Sequence, residues 1–526
     1  MSLFSLGKTN PATETSRLRL SVSLTLVFLV LAGIGAWRHE LWRDEMQAWL
    51  NVRDAPNLSA LLEEVHYNGA PSLWYLLLRP LALLTFRPEA MQILTWILAG
   101  ATVFVFVHFA PFNRLQKALL VCNYYLLFEY GIVCRNYLPG ILGLGIACVL
   151  FPRAEERPWP FIAALLAAAL ASVHSLIVAV ALAGGFWAPR CFRWGPPKDA
   201  GAGSARFQAG PLLCFAGGLA YAVYSMLPRA DTLYPQTDGW ILDWVPIRLA
   251  RVASAVVNSC FTWPRPAGFS RIPPWDTPTF SIENGQIFIW ALLLFVLSVL
   301  FFKRHAGALV LYVVGTVGVA AFFYVKYIGA ARHAGLLFFT FLFAQWIKQA
   351  SRPRPSPGSS AVFDRWASVV LTAMLAAQAV TGVWALKEDF NQRFSCGKAA
   401  AQILQERHLD RGFIAVAPDW AGAPLAGYLN RSLYYPNARG YGRATHWDKR
   451  RTEFLEDDEI MRRTIEEANG QAFVISFEHP LAKEFTEKYG LETVADVVGS
   501  MTPFEDYHLF YRPGKAAAGA SPESTH

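Results

Sequence analysis

The chain has 526 residues, 54% of them hydrophobic and only 16% charged, with a formal net charge of +8. This balance excludes an ordinary soluble globular protein. It also argues against a nucleic-acid-binding face, because the basic residues sit in short clusters between apolar runs, as topology signals do. The length exceeds one ordinary core and predicts a membrane part over 1–386, a soluble part over 387–513 and a tail over 514–526.

The first apolar run, Leu20 to Trp37, follows Lys8, Arg17 and Arg19. It is long enough to span a bilayer and reads as an uncleaved anchor with a cytoplasmic N-terminus. Ser72 to Phe86 is apolar but short and interrupted by Arg79 and Pro80, which predicts a helix lying in the interface. Further spans are predicted at 91–110, 118–134, 138–152, 159–173, 175–189, 211–227, 285–302, 307–325, 334–349 and 366–386. The fold class is thus a polytopic α-helical membrane protein with about eleven transmembrane helices and a small C-terminal α/β domain. This parity places Arg114 and Lys117, Arg153 and Arg157, Arg190, Arg193, Lys198 and Arg206, Lys303 and Arg304, and Lys348, Arg352 and Arg354 on the cytoplasmic side. Counting Ser72–Phe86 as a full span would put most of them outside.

The stretch 228–284 becomes an outer loop. Its Asp238, Trp240, Asp243, Trp244, Trp263 and Trp275 suit sugar recognition or interfacial anchoring equally. Within 387–513, Phe413–Ala417 and Ala472–Phe477 read as short buried strands and Arg451–Asn469 as a charged helix. Tyr434-Tyr435-Pro436 and His446-Trp447-Asp448 are its notable pieces. The tail from Gly514 has the Ala/Gly/Ser composition of a disordered segment. The seven cysteines show no paired metal spacing, and only Cys260 and Cys396 lie in segments placed outside the membrane, which leaves one disulfide open.

Three places carry candidate chemistry, all at the outer ends of spans. The first is Arg43-Asp44-Glu45, directly after the first span. A carboxylate there can act as general base on an acceptor hydroxyl or help to bind a divalent metal through oxygen ligands. A solvated loop with interfacial tryptophans is the plainer account. The second runs from Glu129 to Tyr137, where Arg135 can pair with a phosphate through its fork of donors or simply snorkel, and Glu129 is a weaker candidate. The third runs from Lys326 to His333 and breaks the positive-inside trend. Anionic lipid phosphate is its natural counter-ion, with Arg332 the first choice and His333 the next. His174 stands alone among alanines, as a packing residue or as a contact for sugar or phosphate. No Gly-rich phosphate loop precedes a helix, which favours a lipid-linked over a nucleotide-linked donor.

The segment LWRDEMQAWLNVRD, followed by YNGAPSLWYLLLRPLALL, resembles the first outer loop of the GT-C superfamily of membrane glycosyltransferases, among them protein O-mannosyltransferases and lipid A aminoarabinose transferases. The resemblance is good over about the first 150 residues and lies only in overall layout beyond them. It implies Asp44 as the base that deprotonates an acceptor hydroxyl, with Glu45 orienting the site or contributing to a metal. It implies a polyprenyl-phosphate sugar donor held by Arg135 and Tyr137, a lipid, glycan or protein acceptor, and inversion at the anomeric carbon. A bacterial inner membrane follows, with the catalytic loops facing the periplasm. The chain departs from the pattern at Ala70-Pro71, where relatives carry His-Pro, although His66 is nearby. It also has Arg135 and Asn136 where some relatives carry a metal-binding Asp. The rival reading is a transporter or flippase of lipid-linked saccharide, which would more often show internal repeats and binding groups at the bilayer midplane. The enzyme reading expects Asp44, Arg135 and Arg332 to converge near the outer leaflet.

Overall fold

A computed structural model describes residues 11–191, 209–233, 240–263, 285–327, 329–351 and 359–514. Lys8, Arg193, Lys198, Arg206, Asp238, Trp275, Arg352, Arg354 and the tail beyond Gly514 lie outside the described residues. In α1 (Pro11–Arg38), Leu26, Val27 and Val30 face outward while Phe28 and Ala32 are buried. An outward aliphatic face on so long a helix suits lipid rather than water.

Three short helices follow: α2 (Arg43–Asp54), α3 (Leu58–Val65) and α4 (Leu73–Leu84). At 1.5 Å per residue α4 reaches only about 18 Å, against a hydrocarbon core of about 30 Å. Arg79 fastens it to α2 by donating to the carbonyls of Val52 and Ala55 at 2.6 and 2.8 Å, while Leu83 and Leu84 stay exposed.

Next, α5 (Glu89–Phe109) packs along α1. The span expected at 118–134 is not one helix: α6 (Arg114–Val121) stops early, and a π-type turn covers Tyr125–Glu129. Asn123 accounts for the break, since its carbonyl oxygen accepts from the Leu126 N–H at 3.1 Å and its amide pairs with Gln378. Glu129 is fully buried and accepts the Tyr124 hydroxyl at 2.7 Å, away from any cavity described below.

The 159–189 region is two helices after α7 (Tyr137–Leu150): α8 (Pro158–Ala169) and α9 (Val173–Cys191). They are followed by α10 (Ala209–Met226). The expected outer loop at 228–284 contains α11 (Pro246–Cys260), which Arg248 and Arg251 conceal in a hydropathy reading. Arg248 caps the end of the next-but-one helix, donating to the Tyr324 carbonyl at 2.8 Å. The membrane part closes with α12 (Gln286–Phe302), α13 (Ala306–Val325), α14 (Ala331–Ala350) and α15 (Ser359–Asn391). Among the described residues six helices, α1, α5, α9, α10, α13 and α15, are long and apolar enough to cross a membrane, and α4, α7, α8 and α12 are shorter apolar helices. The central helix is α14, buried from His333 to Lys348, where the Lys348 ammonium meets Asp364 at 2.9 Å.

Beyond α15 a six-stranded mixed sheet forms from β1 (Phe413–Ala417), β2 (Leu433–Tyr435), β3 (Gly440–Gly442), β4 (Phe473–Phe477), β5 (Glu492–Val497) and β6 (Tyr507–Arg512), in the order β3-β2-β1-β4-β6-β5. The two apolar strands expected from sequence pair in parallel at its centre, Phe413 opposite Phe473. Helices α16 (Gly397–Glu406), α17 (Gly422–Leu429), α18 (Asp457–Ala468) and α19 (Lys483–Tyr489) complete it. The charged helix expected from Arg451 starts instead at Asp457, because Arg451 is drawn inward into a two-point pair with Asp419 at 2.9 and 3.0 Å.

This part docks on α2. Gln47 and Thr445 exchange two hydrogen bonds at 2.7 and 2.9 Å, the Leu41 N–H donates to the Tyr428 hydroxyl at 3.0 Å, and Arg53 reaches Asn430 at 3.1 Å. All seven cysteines are free thiols, so Cys260 and Cys396 form no disulfide; each is buried in a different part.

Candidate active site

The start of α2 is fixed by Glu45. Its side chain is fully buried and its carboxylate accepts from the Trp42 N–H at 3.1 Å, closing the first turn, and from the Cys134 N–H at 2.5 Å. The same carboxylate meets His39 at 3.1 Å, and the other imidazole nitrogen meets Asp389 at 3.2 Å. With a carboxylate at each nitrogen the ring is a doubly donating imidazolium. Burial opposes its charge, but Asp389 and Glu45 outweigh that and raise His39 to about 10.

Asp44, one residue earlier, points the other way. Its carboxylate lies 3.0 Å from Arg135, 3.7 Å from Arg332 and 4.0 Å from Arg43, and is 31% exposed. Burial alone would raise it, but those three guanidiniums hold it below the ordinary aspartate value. The three cations also gather around one indole ring, lying 5.8, 5.9 and 5.4 Å from the Trp42 ring for Arg43, Arg135 and Arg332.

Two glycines let the arginines arrive. A Cβ on Gly131 would sit 2.2 Å from the Leu126 carbonyl oxygen, so only glycine closes the turn that leads to Arg135. Gly329 has φ +73°, and a Cβ there would come within 3.0 Å of His333.

A cavity of about 730 Å³ opens from Asp44. Its membrane-side wall holds Trp42, Trp74, Tyr75, Lys326 and Tyr327, and its far wall comes from the soluble part through Trp420, Trp447, Phe454 and Glu478. Aromatic faces beside carboxylates suit sugar rings, and a cluster of guanidiniums suits phosphate. Among the described residues no group of three or more His, Cys, Asp or Glu side chains is placed to hold a metal. The surroundings of Asp44, one carboxylate among three guanidiniums, do not fit a divalent cation.

Of the residues singled out from sequence, the structure brings Asp44, Arg135 and Arg332 together at the cavity, with Arg43, Asn136, Lys326 and Trp447 also in its lining, and leaves Glu45, Tyr137, His174 and His333 behind them. Glu45 does not face the cavity. Tyr137 and His333 form a layer beneath the arginines, their rings 5.6 Å apart, and the His333 Nδ1 accepts the Ala330 N–H at 2.8 Å to cap α14. His174 packs on His333, Phe322 and Phe323 at 5.1, 5.5 and 5.4 Å and lines no part of the cavity. His66 does not replace the absent histidine: its Nδ1 meets the Leu227 carbonyl at 2.9 Å, whereas Ala70 lines the cavity. Trp240, Trp244 and Trp263 also lie outside its lining.

Sequence reasoning missed Glu505. It is fully buried, its carboxylate accepts the Arg43 N–H at 2.8 Å, and burial, only partly offset by Arg43, pushes it up to about 7. A carboxyl whose folded value exceeds its unfolded one favours the folded state most below about 4.5, and that contribution is lost as pH rises through about 7. Glu505→Gln is therefore expected to flatten the stability profile between pH 5 and 8 and to gain on the wild type at the alkaline end, read as thermal unfolding midpoints in detergent. A parallel fall of both proteins over that range would refute the assignment.

Two solved structures are similar to this chain. The first is ArnT from Cupriavidus metallidurans in the apo state, 11% identical with a TM-score of 0.47, covering 94% of this chain and 98% of its own. The second is the arabinosyltransferase EmbB from Mycobacterium smegmatis, 12% identical with a TM-score of 0.34, covering 83% of this chain and 45% of its own. Both are members of the GT-C superfamily. No family model and no curated relative matches the chain.

Proposed function

We propose that this protein is a membrane glycosyltransferase that moves a sugar from a polyprenyl-phosphate donor to a lipid, glycan or protein acceptor at the outer, periplasmic face of a bacterial inner membrane. The observation that carries the reading is the meeting of Asp44, Arg135 and Arg332, from three distant segments, in one aromatic-walled cavity.

In this reading the donor phosphate takes over the guanidiniums of Arg135 and Arg332, with Arg43 and Lys326 nearby. Asp44, relieved of its counter-ions, accepts the proton of the acceptor hydroxyl. The acceptor oxygen forms a bond to the anomeric carbon from the side opposite the phosphate. The carbon–oxygen bond to phosphate breaks with its electron pair, and the new negative charge stays with the guanidiniums. Configuration inverts. Glu45 acts as a positioning residue: it sets the direction in which Asp44 leaves α2.

Arg332→Ala is expected to weaken binding of undecaprenyl phosphate to the purified protein by about 10–100-fold, the scale of one charged hydrogen-bonded partner. Arg332→Lys should restore part of it, since an ammonium supplies charge without the fork. Unchanged binding in Arg332→Ala would remove the phosphate from this cavity.

A further inference from the structure

A second set of features lies on the other side of the loop that carries Asp44. Along the lipid-facing surface of α1 and α5 runs an apolar groove of about 530 Å³, walled by Leu26, Leu29, Val30, Ile34 and Trp96. At the end of α1 it opens into a cavity of about 1170 Å³ bounded by the start of α5, the end of α15 and the soluble part. The two are continuous, since Gly33, Trp37, Arg38, Trp96 and Phe390 line both. This cavity shares no lining residue with the one at Asp44.

The charges at the mouth are arranged for an anion. Arg38, Arg87, Arg393 and Lys398 line it. The carboxylates there are Glu40, Glu89 and Asp389, and Asp389 is already matched by His39 at 3.2 Å. Four cations therefore face the two remaining carboxylates, of which Glu40 is balanced by Arg393 and Lys398, and the mouth keeps an excess of positive charge. Arg38 is held at the junction of groove and cavity, 4.9 Å over the Phe390 ring. An inorganic anion would leave the groove without purpose, and a neutral lipid would leave the cations without one. A single molecule with an apolar tail and an anionic head satisfies both.

We propose that this groove and cavity form a second lipid-phosphate site, with the tail along α1 and α5 and the phosphate among Arg38, Arg87, Arg393 and Lys398. Its partition from the Asp44 cavity is the buried His39–Glu45 pair, so a lipid held here rests against the group that positions the start of α2. Gly33 provides the floor of the groove. A Cβ there meets only Trp96, at 3.4 Å and beyond, so Gly33→Leu fills the groove while the helix keeps its place.

The test is native mass spectrometry of the full-length protein in detergent, titrated separately with phosphatidylglycerol, phosphatidylcholine, undecaprenyl phosphate and inorganic phosphate. Wild type is expected to bind one phosphatidylglycerol or undecaprenyl phosphate at this site at least about tenfold more tightly than phosphatidylcholine. Gly33→Leu and the double variant Arg87→Glu/Arg393→Glu should each lose that binding, with thermal midpoints confirming that they are folded. Arg332→Ala should keep one bound lipid at this site while undecaprenyl phosphate is lost only from the Asp44 cavity, so the two sites are told apart by the number of lipids bound. Retention of only undecaprenyl phosphate would identify the tail as polyprenyl, and retention of phosphatidylglycerol would identify a bulk phospholipid. Equal binding of phosphatidylcholine, unaltered binding in both variants, loss of every bound lipid in Arg332→Ala, or displacement by inorganic phosphate alone would overturn the site. None of these readings needs transferase activity, so the proposal stands or falls apart from the catalytic one.

Discussion

Asp44→Asn is expected to reduce sugar transfer by about 10²–10⁴-fold, the usual contribution of a positioned general base. The change is nearly isosteric and keeps a hydrogen-bond acceptor for Arg135 at 3.0 Å, so the fold should survive it. It removes the cavity-facing carboxylate that, among the described residues, lies within 4.0 Å of all three arginines and can take a proton. It also removes the anion that competes with a phosphate for those arginines. Donor binding should therefore hold or tighten while turnover collapses, a combination that damage to the fold would not produce. The measurement is transfer from radiolabelled polyprenyl-phosphate sugars in a membrane extract, paired with binding of undecaprenyl phosphate. Full activity in a folded Asp44→Asn protein would end the assignment of the base. Loss of binding together with activity would point to a structural role instead.

Glu45→Ala is expected to have the largest effect on stability, about 3–5 kcal/mol, the cost of breaking a buried ion pair by removing one partner. The Trp42 and Cys134 N–H groups would lose their acceptor, and His39 would keep only Asp389. Because Cys134 precedes Arg135, the guanidinium nearest Asp44 would lose its anchor as well, so activity should fall with stability. The pH dependence gives an independent check. His39 is raised from 6.5 to about 10, so its contribution to folding is fully present below about 6.5 and is lost as pH rises through about 10. Thermal midpoints of the wild type in detergent should fall across that window, and those of Glu45→Ala should fall less. A variant that melts within a degree or two of wild type would show that this pair is dispensable.

These two neighbouring residues also show how far the sequence could be read. Asp44 and Glu45 look interchangeable as an acidic pair after a first span. On an α-helix, however, successive side chains diverge by about 100°, so one carboxylate enters the cavity and the other the interior. No pattern within the pair says which. Arg332 was visible because it broke the charge bias of the outer loops, a signal that does not depend on folding. His174 was visible as an isolated polar residue and His333 as the neighbour of Arg332 in the outer basic group, but the aromatic layer that absorbs them is assembled from α9, α13 and α14. The far wall was legible only at Trp447, as part of the His446-Trp447-Asp448 piece, and not as a wall. Trp420 follows β1, Trp447 and Phe454 lie between β3 and α18, and Glu478 follows β4, and neither spacing nor charge links them to Asp44. The same holds for α11, where two arginines made a packed helix look like a loop.

The docking of the soluble part on α2 bears on how such a protein can be divided. A domain hung on a linker can be removed or exchanged, leaving its partner intact. Here the strap between Gln47 and Thr445 joins two halves of one vessel: the membrane loops make the floor and the sheet's loops make the ceiling. Glu505, from the ceiling side, holds the backbone of Arg43 on the floor. Neither half is a module. A change in the ceiling alters the chamber in which the floor's residues work, so variation in the soluble part is variation in the site itself.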